Sequence, residues 1–271
     1  MEWKNIYRGF VMGAVELMPG ISSGTIAVVL GIYERLIAAI NGLFSREWKK
    51  HLSFLIPLGV GMVSVILLLS RLIKWLSENY PVPTQFFFLG LIVGVLPFLF
   101  NQVDVRKTFQ LRHYLLLIAG AVVVGFMGLF NPAGSEVITE MNFSTYALLF
   151  FSGMLGSAAM ILPGISGAFI FLVIGVYYTI IDAVNNLQFD IIFVTGLGIA
   201  IGIILMSKIV HFFLQKYRTA AFALIIGFVI GATVVVFPGW AETPPLMIAS
   251  IVTFAAGLFA AYILGRVEHK A

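Results

Sequence analysis

The chain contains no cysteine and few charged residues. Of its 271 residues, 10% are charged and 61% are hydrophobic. The absence of cysteine excludes disulfide bonds and thiolate metal sites. Soluble domains carry roughly 25% charged residues, so the low charge argues against an ordinary soluble protein. The net charge of +4 is modest, and in a membrane protein it reports orientation and lipid contact rather than nucleic-acid binding.

Motifs for several kinds of chemistry are also missing from the sequence. The histidines lie apart without ligand spacing, so we expect no metal site and no cofactor; they are His51, His113, His211 and His269. No GxxxxGK[ST] loop and no GxSxG turn occurs, which leaves nucleotide hydrolysis and serine hydrolase chemistry without support. We therefore do not expect an enzyme.

Long apolar runs are what the sequence does have. The mean hydropathy is +1.05, and several runs reach the roughly 17–25 residues that a membrane-spanning helix needs. A transmembrane β-barrel would show short alternating strands instead. The sequence therefore predicts an all-α polytopic membrane protein.

One unusual segment occurs twice within these apolar runs. The segment Glu16–Thr25 holds a carboxylate, a proline, hydroxyls and two glycines, and its Pro-Gly-Ile-Ser pattern returns in Met160–Gly167. The offset is about 144 positions, from Pro19 to Pro163, and it also aligns Gly31-Ile32-Tyr33 with Gly175-Val176-Tyr177. An offset of about 137, from Gly61 to Gly198, continues the match through later glycines. These matches indicate an internal duplication.

Each repeat is predicted to contain one re-entrant helical hairpin and three spanning helices. Proline and glycine break the first arm of each hairpin, and one helix is then expected to continue to about Leu43 or Leu187. The first repeat, 1–135, comprises a hairpin at 6–43 and spans at about 53–76, 84–100 and 114–130. The second, 136–271, comprises a hairpin at 145–187 and spans at about 189–214, 220–237 and 246–264. Together they form one membrane domain.

The charge bias predicts that the two repeats are inverted in the membrane. With re-entrant hairpins, both termini and the basic loops 44–52, 101–113 and 207–218 fall on one face. The positive-inside rule makes that face cytoplasmic. If each broken element crossed once, the repeats would be parallel and the acidic loop near Glu136 would share this face. Five full crossings per half would give the same parity as the hairpins.

Inverted repeats with broken helices are typical of secondary transporters. A helix N-terminus exposes unpaired N–H groups and carries about half a positive charge, so two opposed hairpin tips would attract an anion such as phosphate. Glycines would let the ligand approach the backbone, and serine hydroxyls could bind it or merely cap the helices. The candidate residues of the two tips are Gly20, Ser22, Ser23, Gly24, Thr25, Gly164, Ser166 and Gly167.

Three charged residues are further candidates for the site. Glu16 is the acid of the first hairpin arm, and a buried carboxylate tends to take a proton. It could couple transport to protons or another ion, or it could be held by the amides of Ser22–Thr25 and stabilise the hairpin. Arg71 and its counterpart Lys208 could attract a lipid phosphate at opposite faces, or they could be ordinary snorkelling side chains.

The first motif, with an acid three residues before its proline and Gly31-Ile32-Tyr33-Glu34-Arg35 after it, resembles the PopT-type polyprenyl-phosphate transporters, formerly an uncharacterised bacterial membrane family. The second Pro-Gly-Ile-Ser-Gly is similar to that family's second repeat. The family usually has Ser-Gly-Gly-Thr where this chain has Ser22-Ser23-Gly24-Thr25. The resemblance implies a plasma-membrane flippase that returns undecaprenyl phosphate, the carrier lipid of peptidoglycan synthesis, from the outer to the inner leaflet.

Two other functions fit the same sequence features. A small-anion channel or transporter would use the same helix dipoles, and ion flux without lipid would reveal it. A membrane lipid phosphatase would release phosphate from its substrate, but the sequence lacks a His/Asp/Arg constellation for that reaction.

Overall fold

The computed structural model describes residues 1–17, 22–43, 45–128 and 137–269, and these residues form helices and connecting turns without a β-strand. This confirms the prediction of an all-α protein. The helices, in chain order, are α1 (Lys4–Glu16), α2 (Ser23–Val29), α3 (Tyr33–Gly42), α4 (Trp48–Asn79), α5 (Pro81–Gln102), α6 (Val105–Thr108), α7 (Leu111–Met127), α8 (Phe143–Ile161), α9 (Gly167–Ile174), α10 (Tyr177–Asn185), α11 (Phe189–Lys216), α12 (Arg218–Val236) and α13 (Pro244–His269).

Six helices of the described chain are long and apolar enough to cross a membrane, namely α4, α5, α8, α11, α12 and α13. The protein is therefore a multi-pass membrane protein. The number of candidate spans matches the prediction, but the set of helices differs. The structure includes α8, which has 19 residues, in place of the predicted span that corresponds to α7, which has only 17. At 1.5 Å per residue α8 is about 28 Å long, close to the hydrocarbon thickness. The first arms of the two predicted hairpins are thus unequal, since α1 has 13 residues.

The expectation of one continuous helix after each Pro-Gly break is wrong. The chain bends by 117° between α2 and α3, and by 108° between α9 and α10. The cause is a left-handed glycine at each bend, Gly31 with φ of 63° and Gly175 with φ of 89°. Beside it, the N–H of Ile32 bonds Ala27 O at 2.9 Å, and that of Val176 bonds Phe171 O at 3.0 Å. These are the bonds of a Schellman C-cap, which ends a helix.

The long helices pack in pairs, two within the sequence halves and two between them. In the first kind α1 packs on α4 and α8 on α11; in the second α5 packs on α13 and α7 on α12. A methyl group at Gly90 would lie 2.1 Å from Phe254 O, and one at Gly227 would lie 2.2 Å from Leu117 O. Only glycine allows backbones this close. The duplication aligns Gly90 with Gly227 and Leu117 with Phe254, so the two contacts are equivalent.

The short helix α2 lies at the centre of this arrangement. All seven of its residues are buried, and it contacts α5, α8 and α13. The main hydrophobic core surrounds it with side chains from α5 and α12, including the fully buried Ile92, Leu99 and Ile226. The first Pro-Gly break therefore leads directly into the most enclosed part of the protein.

Candidate functional site

The first break is organised by the polar side chains around the start of α2. Ser22 has an extended backbone and caps α2, because its Oγ accepts a hydrogen bond from Gly24 N at 3.2 Å. The carboxylate of Glu16 accepts from Ser23 N at 3.1 Å. This is the structural role considered for Glu16, an anion that holds the positive end of a helix. Residues 18–21, which include the candidate Gly20, lie outside the described residues.

The second break follows the end of α8. Leu162 is extended, and Gly164 has φ of 86° with its α-carbon so close to α12 that a methyl group would lie 2.6 Å from Phe228 O. Ser166 precedes α9 but its side chain makes no capping bond. A methyl group at Gly167 would lie 2.7 Å from Gly156 O, so the start of α9 packs on α8.

Hydrogen bonds join the two breaks directly. Gly164 N donates to Thr25 Oγ1 at 2.9 Å, and the Ser22 hydroxyl lies 3.3 Å from Leu162 O, to which it donates. Tyr33, just after the bend, donates its hydroxyl to Ile161 O at 3.2 Å. Ser22, Thr25 and Tyr33 are only 1–2% exposed. We call this contact, between residues 22–25 with Tyr33 and residues 161–164, the junction.

The junction is closed in this conformation. Its hydroxyls are bonded to backbone groups that the breaks leave without helical partners. The cavity next to Gly164, Ile165 and Ser166 measures about 10 Å³, which is the space of about one water-sized sphere. Ser166 and Gly167 are buried beside the junction and take no part in its side-chain hydrogen bonds within the described chain. Residues 22–25 therefore meet the segment 161–164, which lies just before Ser166 and Gly167 in the chain.

The two basic candidates lie elsewhere. Arg71 on α4 and Lys208 on α11 have exposed side chains, and neither takes part in the hydrogen bonds of the junction. The residue before Lys208 does connect the two halves, because Asn41 Nδ2 donates to Ser207 O at 2.8 Å. Among the described residues, no three His, Asp or Glu side chains come together as metal ligands.

The structure adds two adjoining cavities that sequence reasoning missed. An apolar cavity of about 490 Å³ lies between α7, α11 and α12, and Tyr33 and Leu162 of the junction line one side of it. A pocket of about 350 Å³ adjoins it at the start of α7 and contains Arg112, Lys216 and Arg218. The sequence pattern identifies these three residues only as cytoplasmic charges, because the approach of α7 to the α11–α12 turn is a long-range contact.

Tyr33 is the other residue of the site that the sequence reading passed over. A signal existed, since the duplication aligns Tyr33 with Tyr177.

Lys107 is a nearby basic residue that does not line the basic pocket. Its ammonium bonds Asp104 at 2.8 Å, and this hydrogen bond raises the pKa of Lys107.

Comparison with known proteins gives one consistent result. A family model described as "VCA0040-like: Undecaprenyl phosphate translocase-like" matches residues 12–254. A protein of Staphylococcus aureus named polyprenyl-phosphate transporter is 40% identical over 98% of this chain and 97% of its own length. One of Vibrio cholerae with the same name is 35% identical over 90% of this chain and 80% of its own. No solved structure matches the chain. The resemblance inferred from the sequence motifs is confirmed.

Proposed function

The chain belongs to the undecaprenyl phosphate translocase-like family, and from this premise we propose that it moves undecaprenyl phosphate from the outer to the cytoplasmic leaflet of the bacterial plasma membrane. The relatives are named as transporters and not as enzymes, which agrees with the lack of catalytic motifs in this sequence. Translocation in this direction would return the carrier lipid to the face where peptidoglycan precursors are assembled. The basic termini and loops are then cytoplasmic.

An inverted repeat, 1–135 and 136–271, would supply the two alternating arrangements that transport needs. The helix contacts between the two sequence halves support an inverted repeat, because the contact of Gly90 with Phe254 and that of Gly227 with Leu117 are related by the duplication. The positive residues of loops 44–52 and 101–113 and of region 207–218 support the inverted orientation.

The observation that carries the proposal for the phosphate path is the junction itself. It brings the broken segments of both halves into contact in a buried part of a membrane protein, with hydroxyl and backbone N–H groups that can bind an anion. We assign the phosphate to this region once its internal bonds open. The residues that would line the path are Gly20, Ser22, Ser23, Gly24, Thr25, Gly164, Ser166 and Gly167. The prenyl chain stays in the lipid or in the apolar cavity.

Charged residues complete the proposed mechanism. Glu16 holds Ser23 N at 3.1 Å, the kind of donor that a phosphate oxygen would use. A proton on Glu16 would weaken this bond and leave the donor to the substrate, which would couple phosphate movement to protons. Arg71 and Lys208, exposed on α4 and α11, would attract the lipid headgroup at the two membrane faces.

A leaflet assay with the purified chain in liposomes tests this function. Undecaprenyl phosphate should equilibrate between leaflets faster than in protein-free liposomes, and undecaprenol, which lacks the phosphate, should gain nothing. Glu16→Gln should reduce the pH dependence of the rate. Equal rates with and without protein would contradict the proposal, and flux of inorganic phosphate without lipid movement would favour the small-anion alternative.

A further inference from the structure

The basic pocket beside α7 has an unusual concentration of positive charge. Arg112 comes from the first turn of α7, Lys216 from the last turn of α11 and Arg218 from the start of α12. No acidic residue is among the described residues that line it. The N-terminal ends of α7 and α12 also meet there, and each adds partial positive charge.

The three charges differ in how far the protein already compensates them. Arg218 forms an ion pair with Glu34 at 2.8 Å, so its positive charge is partly neutralised. The Lys216 ammonium lies 5.6 Å from the ring centroids of Phe212 and Tyr217, which leaves its hydrogen-bond donors available. Arg112 is exposed and makes no hydrogen bond or ion pair within the described chain. Arg112 and Lys216 are therefore placed to bind an external anion, with the guanidinium suited to a bidentate phosphate contact.

The apolar cavity begins where the basic pocket ends. Leu116, Tyr217 and Ala220 line both, so the two spaces adjoin each other. At about 490 Å³ the apolar cavity has the size of a small-molecule site, which is roughly 300–1,000 Å³. Ile209 and Phe213 on its wall are partly exposed, which opens the cavity sideways to the surrounding lipid. Its other side reaches the junction at Tyr33 and Leu162.

This combination selects one chemical class of occupant. The ligand needs a strongly anionic headgroup and an apolar tail that begins directly beside this headgroup. A phosphate monoester carries about −1.5 to −2 charges at pH 7, more than the single charge of a diester phospholipid. One prenyl chain also suits one cavity, whereas common phospholipids bring two acyl chains.

We propose that Arg112, Lys216 and the adjoining apolar cavity form a binding site for polyprenyl phosphate in the cytoplasmic leaflet. The proposal rests on the proposed function, because that function supplies the lipid and the orientation. The phosphate binds between Arg112 and Lys216, and the first isoprene units enter the cavity toward the junction. The site is the cytoplasmic end of the transport path.

The other half of the chain does not repeat these charges. Under the offset of about 137 positions, Arg112 aligns with Ala249, Lys216 with Asn79 and Arg218 with Pro81. The duplication kept the glycines of the same helices but not these three basic residues. The site therefore belongs to one face of the protein and gives the two ends of the path different affinities for the lipid phosphate.

Binding of undecaprenyl phosphate to the full chain in nanodiscs tests the site. Arg112→Ala and Lys216→Ala should each weaken binding about tenfold, the usual effect of losing a hydrogen bond to a charged group. Arg106→Ala is the matched control, because Arg106 is an exposed arginine of the same loop that does not line the pocket. It should bind like the wild type. Undecaprenol should bind the wild type and the three variants equally.

A thiol probe locates the site independently. Because the chain has no cysteine, Thr219→Cys places a single thiol in the wall of the basic pocket. Undecaprenyl phosphate should slow its reaction with a polar thiol reagent at least about fivefold, and inorganic phosphate at the same concentration should not, because it lacks the tail. Equal protection by both would overturn the part of the proposal that assigns the prenyl chain to the cavity.

The leaflet assay separates this proposal from the proposed function. If the wild type moves the lipid while Arg112→Ala and Lys216→Ala bind it as well as Arg106→Ala does, the site is refuted and the function stands. If the wild type does not move the lipid but binds it through Arg112 and Lys216, the site stands and the transport function is refuted.

Discussion

The helices that follow the two Pro-Gly breaks, α2 and α9, share a sequence pattern but lie in different surroundings. Each is preceded by an extended serine, Ser22 or Ser166, and each is followed by a left-handed glycine. All seven residues of α2 are buried, whereas Gly167 is the one buried residue of α9. The repeated sequence therefore determines the local breaks, and the neighbouring helices determine the burial.

The same contrast extends to the helices after the bends. Asn41 at the end of α3 bonds Ser207 O on α11, which ties the first broken segment to the second half. The duplication aligns Asn41 with Asn185 and Ser207 with Ser70, and within the described residues no hydrogen bond joins that second pair. In an inverted-repeat transporter the opposite state exchanges the conformations of the repeats. The proposed mechanism therefore implies that Asn185 reaches Ser70 when Asn41 leaves Ser207.

Locking the first contact should have the largest effect. In the double variant Asn41→Cys/Ser207→Cys, a short thiol crosslinker should stop lipid translocation, because α3 can no longer leave α11. The chain has no other cysteine, so the reagent has one target pair. Rates in the leaflet assay are compared before crosslinking, after it, and after reductive release. Asn41→Cys alone with the same reagent is the control, and unchanged transport by the locked pair would show that this contact does not open.

The pair Asn185→Cys/Ser70→Cys extends the same test. It should crosslink slowly in resting protein and faster when undecaprenyl phosphate is present and translocation proceeds. The yield of crosslinked protein with and without the lipid is the measurement. A yield that the lipid leaves unchanged would contradict the exchange of conformations between the repeats.

Truncating matched isoleucines should separate α2 from α9 by stability. Ile26 on α2 is fully buried, and its counterpart Ile170 on α9 is partly exposed. Ile26→Ala should lower the free energy of unfolding by about 2–4 kcal/mol, since it removes packing contacts that lipid does not replace. Ile170→Ala should cost about 1 kcal/mol, the typical value for a point mutation. Reversible unfolding in mixed micelles measures both, and equal losses would mean that α9 is as tightly packed as α2.

Removing the hydroxyl of Thr25 should weaken the junction by a smaller amount. Thr25→Val keeps the shape but leaves the buried Gly164 N–H without its acceptor at 2.9 Å, which should cost about 1–3 kcal/mol. Thr25→Ser keeps the hydroxyl and should lose only about 0.8 kcal/mol for the missing methyl group. The same unfolding experiment compares the two variants. A valine variant as stable as the serine variant would mean that this hydrogen bond does not hold the two breaks together.

The ion pair between Glu34 and Arg218 should contribute least. Its side chains are about half exposed, at 43% and 50%, so Glu34→Gln should change the free energy of unfolding by at most about 0.5 kcal/mol. The difference from wild type should vanish at high salt, because exposed charges are screened. Glu34 aligns with Tyr178 and Arg218 with Pro81, so the duplication does not repeat this pair. A larger effect that persists in high salt would make this pair part of what holds α3 on α12.

Much of the local structure could be predicted from the sequence. A Pro-Gly pair inside an apolar run favours a helix break, so both breaks were predictable, and so were the long helices from their apolar runs. The bends at Gly31 and Gly175 were not, since a single glycine in an apolar run is compatible with a continuous helix. Their repetition in the Gly-x-Tyr pattern was the available signal.

The site was harder to predict because it depends on long-range packing. The hydroxyls of Ser22 and Thr25 were found as candidates, but the backbone groups they bond, at Leu162 and Gly164, come from the other half of the chain. Arg112 and Lys216 are separated by the whole second broken segment, and only the packing of α7 on α12 brings them to one pocket. Sequence periodicity contains no information about that approach.

The crossed pairing of the long helices has a consequence for how the protein is made. Helices α5 and α7 belong to the first half, yet their close partners α13 and α12 are synthesised only after α8–α11. Gly90 and Leu117 therefore lack their partners Phe254 and Gly227 until α12 and α13 have been synthesised. The two crossed contacts can thus form only after the helices of the first half have been made. Two half-length chains with the same contacts could exchange these helices as a dimer, which makes a gene duplication and fusion a continuous route to this architecture.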